Sequence, residues 1–298
     1  AIGNIVGSNI FNILLILGVS GLIRPLAFSS AFNTDIYILA AGTIFLFLAM
    51  FIAILIYGWF SRTTAPYRRR PDSYRINIKD IWQIICIGTP IAFSIFFEVT
   101  LFACIPLAIV HLGPIMVAGH QIAQNYSGIV FMLPLSLGMA TTIRVGHLVG
   151  QQSIMELKKA VSTAIILAVL MSLVIASLTF ALKNSIAALY SPDPTVIALA
   201  ASLLILACFY QVSDAVQVVS ACALRGMKVT KPVFFITFIA YWPIGFGLGA
   251  VLGLTNWLVP AMGAHGFWIG IIVGLSVAAI LLAIILKRTL LKLEQQAG

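Results

Sequence analysis

The sequence predicts an all-α, polytopic membrane protein with about eight transmembrane helices. Three observations carry that prediction. Of 298 residues, 61% are hydrophobic and only 8% charged, with a mean hydropathy of +1.11, whereas a soluble domain devotes about a quarter of its residues to charge. The apolar residues gather into windows long enough to span hydrocarbon, which takes about 20 helical residues. The basic residues fall almost wholly into alternate gaps between those windows, as short cytoplasmic loops require.

The windows run over residues 2–23, 36–58, 82–109, 117–141, 160–182, 195–218, 232–254 and 263–286. The first has no basic leader and carries Gly3, Asn4, Ser8, Asn9 and Asn12, so it does not read as a cleaved signal peptide. The chain opens on Ala1 rather than Met, which fits a fragment. One set of gaps holds Arg62, Arg68, Arg69, Arg70, Arg75 and Lys79 in residues 59–81, Arg144, Lys158 and Lys159 in 142–159, and Arg225, Lys228 and Lys231 in 219–231. Lys287, Arg288 and Lys292 in the tail complete it. The alternate set holds only Arg24 and Lys183. Both termini and the three basic loops are therefore expected in the cytoplasm, and this orientation signal accounts for the net charge of +9 without a nucleic-acid partner.

The polar stretch SRTTAPYRRRPD in residues 59–81 suits a solvated connector, with its prolines and consecutive arginines. It predicts three regions: a two-helix part over 1–58, a basic cytoplasmic linker over 59–81, and a six-helix lobe over 82–298. Cys86, Cys104, Cys208 and Cys222 lie in or at the ends of the windows without zinc or redox spacing, and read as small buried packing residues.

Carboxylates are the most informative polar groups in such a chain, because an Asp at a membrane helix centre costs about 2.5–3.5 kcal/mol on insertion scales. Asp35, Asp72, Asp80, Glu156, Asp193 and Glu294 are expected in loops, which leaves Glu98 and Asp214 well within spans. Tyr210, Asp214 and Gln217 stand at i, i+4 and i+7 on one helix face, and Glu98 has Ser94 and Phe102 one turn to either side. Gln121 and Asn125 share a face where the fourth span opens, and that span continues through Phe131 to Pro134. Pro106, Pro134 and Pro243 also lie within spans, where each removes a backbone hydrogen bond and can expose a carbonyl. His111, His120, His147 and His265 fall near span ends or loops, where capping or cytosolic roles are expected. A membrane carboxyl can tie helices together by hydrogen bonds, or it can exchange a proton and, once ionised, attract sodium or an organic cation. Residue types alone leave both readings open.

From about Tyr74 onward the chain resembles the C-terminal half of a NorM-like multidrug and toxic compound extrusion (MATE) transporter. The resemblance rests on TPIAFSIFFEVTLFA, AGHQIAQNYSGIVFMLPLSLGMATTIRVGHLVG, YQVSDAVQVVSACALRG and GFWIGIIVGL. It implies two six-helix lobes around a central cavity in the cell inner (plasma) membrane, with drug export driven by Na+ or H+ entry and no cofactor beyond that coupling ion. By resemblance Glu98, Tyr210 and Asp214 are cation-coupling positions, with the two carboxylates as the metal-cation ligands. Phe131 is placed near the substrate cavity, to which Gln121, Asn125 and Gln217 are also assigned. Small, cationic substrates and the lipid bilayer are the implied partners, and a missing N-terminal lobe is implied as well.

The opening run AIGNIVGSNIFNILLILGVSGLIRPL resembles the latter part of an alpha-repeat of the sodium/calcium exchanger superfamily. In that family Ser8 and Asn12 occupy ligand positions, yet the acidic helix that normally precedes the motif and the second repeat are both absent. A complete calcium site is not expected. The two resemblances meet between about Phe51 and Pro66, as in a fusion of truncated genes or an assembly artefact. An intramembrane aspartyl protease would need two membrane aspartates where Asp214 stands alone, and GLSVAA fits a serine protease motif only loosely. No enzymatic activity is expected. Cation-coupled efflux of drugs and other xenobiotics leads, with a sodium/calcium exchanger as the second reading.

Overall fold

The computed structural model describes residues 31–60 and 78–297, and every regular element among them is helical. The chain divides into two compact units, Ala1–Ile84 and Ile85–Gly298. In the first, helix α1 spans Ala31–Phe60 and covers the 36–58 window; its 30 residues rise about 45 Å at 1.5 Å each, enough to cross a bilayer. The 2–23 window, with Ser8 and Asn12, and the arginines of the linker lie outside the described residues.

Helix α2 (Ile78–Ile109) runs across the division and ends in a single 3-10 turn, Val110–Leu112. Gly113, at φ +102, then reverses the chain, a conformation open to glycine but strained for other residues. There follow α3 (Pro114–Gly150), α4 (Ile154–Ala188), α5 (Pro194–Gly226) and α6 (Lys231–Ile239). A π-helical turn, Ala240–Phe246, contains Pro243 and leads into α7 (Gly247–Leu254), and α8 (Ala264–Ala297) closes the lobe. Six segments among the described residues are long and apolar enough to cross a membrane: Ile81–Leu112, Pro114–Gly150, Ile154–Ala188, Pro194–Gly226, Lys231–Leu254 and Ala264–Gln296. They match the last six windows of the sequence.

The helices outrun those windows. The 142–159 gap shrinks to a connection at 151–153, and the 219–231 gap to 227–230. Arg144, Lys158, Lys159, Arg225, Lys231, Lys287, Arg288 and Lys292 therefore sit on helix ends and not in loops, as do Glu156 and Glu294. Asp35 and Asp80 likewise belong to α1 and α2. Lys, Arg and Glu are good helix formers whose long side chains reach polar surroundings from a helix that has already left the hydrocarbon. Lys158 pairs with Glu294 across α4 and α8, and Lys159 reaches Glu156 at 3.2 Å. Asp193 does lie outside the helices, as the N-cap of α5. Its carboxylate accepts hydrogen bonds from the Thr195 backbone N–H at 2.8 Å and hydroxyl at 2.7 Å, and these hold it below the usual carboxylate range. Burial as packing residues describes Cys222 alone, since Cys104 and Cys208 are half-buried and Cys86 is exposed on its apolar helix.

Helix α5 is the axis of the lobe, with its most extensive packing against α3, α4 and α8. One core cluster joins Leu101 and Ile105 of α2 to Tyr210, Tyr241, Phe267 and Trp268, and a second surrounds Leu157, Leu224 and Leu282. By contrast α2 has no extensive backbone packing with any other helix of the lobe, and side chains hold it. The π-turn and α7 approach α8 so closely that glycine is required: a Cβ on Gly270 would strike the Gly245 carbonyl and stand 2.6 Å from Gly249 Cα. Gly128 faces open space. Gly270→Ala is therefore expected to cost about 1–3 kcal/mol by overpacking, while Gly128→Ala leaves stability unchanged or improved. Thermal unfolding of the two variants in detergent micelles checks this, and equal melting temperatures would refute it.

Candidate functional site

Asp214 and Tyr210 lie mid-way along α5, each 4% exposed, one helical turn apart. They form one wall of a narrow recess lined also by Val130, Phe131 and Pro134 of α3, Met171, Ser172 and Ile175 of α4, and Gln211 of α5. Pro134 has no N–H, so the Val130 carbonyl one turn earlier lacks its helical i+4 donor at this wall. Gln211 is buried, and neither its amide oxygen nor its nitrogen has a hydrogen-bond partner.

Glu98 comes from α2 and is half-buried. It does not line the recess, yet it interacts electrostatically with Asp214, Tyr210 and Tyr241 and with the Arg225 guanidinium. The structure thus places Tyr210 and Asp214 together on one recess wall, and Glu98 on a separate helix outside it. Ser94 does not serve Glu98 as a polar companion: its hydroxyl donates to the Pro90 carbonyl at 2.7 Å, inside the helix. Phe102 belongs to the core packing.

Of the residues assigned to a cavity, Phe131 lines the recess and the other three do not. Gln217 is buried beyond Asp214 with its amide oxygen unpartnered, Gln121 is half-buried, and Asn125 is exposed. A second correction concerns His120. It has no place at a helix end, being fully buried six residues inside α3, where its Nδ1 accepts a hydrogen bond from Trp268 Nε1 at 3.2 Å. His265 meets the Ser202 hydroxyl at 2.8 Å.

Three residues escaped the reading of the sequence. Gln211 was passed over because the i, i+4, i+7 face excludes the residue next to Tyr210, whereas the recess wraps around both. Tyr241 is fully buried in the π-turn, with its hydroxyl unpartnered. The intramembrane Pro243 beside it was the available signal. Arg225, counted with a cytoplasmic loop, lies in the last turn of α5 with its Nε buried and unpartnered.

Among the described residues no three His, Cys, Asp or Glu side chains converge as a transition-metal site would require. The recess wall instead carries oxygen: the Asp214 carboxylate, the Tyr210 phenol, the Gln211 amide and the proline-freed Val130 carbonyl. Such a set suits a proton or a hard cation, and it sits inside apolar walls.

The class defined by these features is a polytopic helical membrane protein with two carboxylates inside its spans. More particularly, the chain belongs to the MatE family, whose model matches residues 90–251. The Multidrug resistance protein NorM of Photobacterium profundum is 47% identical over 246 residues, 83% of this chain and 54% of the relative. Multidrug resistance protein MdtK of Edwardsiella ictaluri is 49% identical over 217 residues, 72% of this chain and 48% of the relative. The fold matches the crystal structure of the eukaryotic MATE transporter AtDTX14 with a TM-score of 0.76 at 21% identity, over 98% of this chain and 64% of that one. Residues 1–81 match the Sodium/calcium exchanger protein family. The chain spans about half the length of the curated relatives it matches.

Amides keep the shape and most hydrogen bonds of the acids they replace. Glu98→Gln and Asp214→Asn are therefore expected to insert and to melt within about 1 kcal/mol of the parent. Tyr126 and Thr179, whose hydroxyls meet at 2.6 Å, tie α3 to α4, and Tyr126→Phe is expected to cost about 0.6 kcal/mol, the mean for polar ties in membranes. Denaturant titration in micelles measures all three.

Proposed function

We propose that residues 82–298 form the carboxylate-bearing lobe of a secondary active transporter, in which entry of Na+ or H+ at Glu98, Tyr210 and Asp214 drives efflux of small, cationic drugs and other xenobiotics. The observation that carries the reading is the placement of two carboxylates on separate membrane-spanning segments, one of them on the wall of a recess with Tyr210 and Phe131. Neither acid would be tolerated there without a partner that repays its insertion cost, and an entering cation or proton is such a partner. Tyr210 would orient the bound ion, and Phe131 on the recess wall would meet the flat face of an organic cation. The small recess does not hold a drug by itself, so a second, N-terminal lobe completes the cavity in this reading. Residues 1–58 and 59–81 act here as a two-helix segment and a basic linker. An exchanger-type activity has the 1–81 match in its favour, but that match contributes only Ser8 and Asn12 as ligand candidates.

Transport is tested by supplying a compatible N-terminal lobe in everted membranes and following ethidium efflux under separately imposed sodium and proton gradients. Glu98→Gln and Asp214→Asn are each expected to abolish gradient-driven efflux at matched expression. Near-normal efflux in both variants would reduce the carboxylates to interhelical ties. Orientation is tested independently. Reporter fusions at Arg70 and Gly298 that require the periplasm should be silent, in line with the placement of the basic residues in the inner membrane.

A further inference from the structure

The connection between α7 and α8, residues 255–263, reads TNWLVPAMG and is apolar at its tip. Trp257 is 83% exposed and Leu258 68%, with Val259, Pro260 and Met262 exposed beside them. A fixed backbone holds these side chains away from the lobe. Asn256 Oδ1 accepts a hydrogen bond from the Ala261 N–H at 2.8 Å and so staples the tip across its base. Next to that staple, the N–H groups of Met262 and Gly263 donate to the carbonyls of Leu252 and Gly253 at the end of α7, both at 3.0 Å. Gly263, at φ +59, then turns the chain into α8.

Length sets the depth of this tip. From Lys231 to Leu254 the chain rises about 35 Å at 1.5 Å per residue, and α8 descends by about the same amount between Ala264 and Lys287. Hydrocarbon is about 30 Å thick and the whole bilayer about 40–45 Å. With the ammonium groups of Lys231 and Lys287 in one headgroup layer, the tip reaches the opposite headgroup boundary, and helix tilt only lowers it. No Asp, Glu, Lys or Arg lies between those two lysines, so no charge holds the tip in water. The connection between α4 and α5, at the same end of the lobe, is built differently and carries the exposed Asp193 carboxylate.

We propose that residues 256–260 are an interfacial anchor: the Trp257 indole and the Leu258 and Val259 side chains insert into the headgroup–acyl boundary of the leaflet opposite the basic helix ends, with phospholipid as their partner. An indole joins a broad apolar body to a single N–H donor, which suits a boundary where hydrocarbon meets phosphate and ester oxygens. Lipid is favoured over a protein partner because the tip joins two membrane spans and continues their apolar surface through exposed Leu254. Since the tip is stapled, its insertion also fixes the depth of the turn at which Gly253 and Gly266 bring α7 and α8 into backbone contact. The anchor is independent of the cation-site reading.

The experiment uses the full chain in phosphatidylcholine nanodiscs, in a background lacking the native cysteines. A single nitroxide label is attached at Leu258→Cys or, for comparison at the same end of the lobe, at Pro192→Cys, both exposed positions. Power-saturation electron paramagnetic resonance then reads collisions with oxygen, which concentrates in lipid, and with the water-soluble complex Ni-EDDA. Oxygen should prevail at 258, with Ni-EDDA collisions severalfold fewer than at 192. A label at Val259→Cys should behave as at 258, and adding Trp257→Asp should return it to water, because a charge is expelled from the boundary. A 258 label as open to Ni-EDDA as the 192 label would put the tip in water and overturn the proposal. Shielding of the 258 label from both reagents would also overturn it, since a protein surface would then cover the tip. An unchanged 259 profile in the Trp257→Asp variant would overturn the assignment of Trp257 as an anchoring group.

Discussion

Two carboxylates must be kept inside a hydrophobic slab, and most of the lobe is arranged around that requirement. Hydrocarbon offers no water to an ionised group or to a free backbone carbonyl, so each has to find protein partners or a bound ion. This accounts for α5 being the most enclosed helix: Asp214 is withdrawn from lipid only because α3, α4 and α8 pack around it. It also accounts for the company it keeps. Tyr210, Gln211 and Tyr241 are polar groups on otherwise apolar helices, and those of Gln211 and Tyr241 have no hydrogen-bond partner in the protein.

The intramembrane prolines share a local effect but have different consequences. Each leaves the carbonyl four residues earlier without its helical donor. At Pro106 the carbonyl of Phe102 is taken up by Gln124 from a neighbouring helix, which gives the loosely packed α2 a polar tie. At Pro134 the carbonyl of Val130 belongs to the wall of the Asp214 recess. At Pro243 the helix widens into a π-turn, which encloses Tyr241 and lets Gly245 meet Gly270 of α8. A kink becomes functional or structural according to what stands opposite it.

Much of this lobe was legible in one dimension. The last six apolar windows match the six long helices, because the length of a span is imposed by the thickness of hydrocarbon and not by any neighbour. Glu98 and Asp214 stood out for the same reason: the cost of placing a charge in a membrane depends on depth, and depth follows from position within a window. Helix ends were read less well. Arg144, Lys158, Arg225 and Glu294 were assigned to loops since hydropathy falls where water begins, while helical hydrogen bonding continues past that point. His120 was misplaced by the same rule, being close to the end of an apolar window yet fully enclosed.

The sequence by itself therefore determined that this is a multi-span helical membrane protein, which two acids lie in its membrane, and its kinship with the MatE family. Each follows from one-dimensional quantities: apolar length, the position of a charge in a window, and residue identity in runs. Only the tertiary structure decided which polar groups meet. That Asp214 and Tyr210 of α5 share a recess with Phe131 of α3, that Tyr241 is enclosed in the π-turn, and that Trp268 of α8 donates to His120 of α3 are matters of helix rotation and approach. Those are set by glycine contacts, proline-opened carbonyls and aromatic edges between segments far apart in the chain, and no local pattern encodes them.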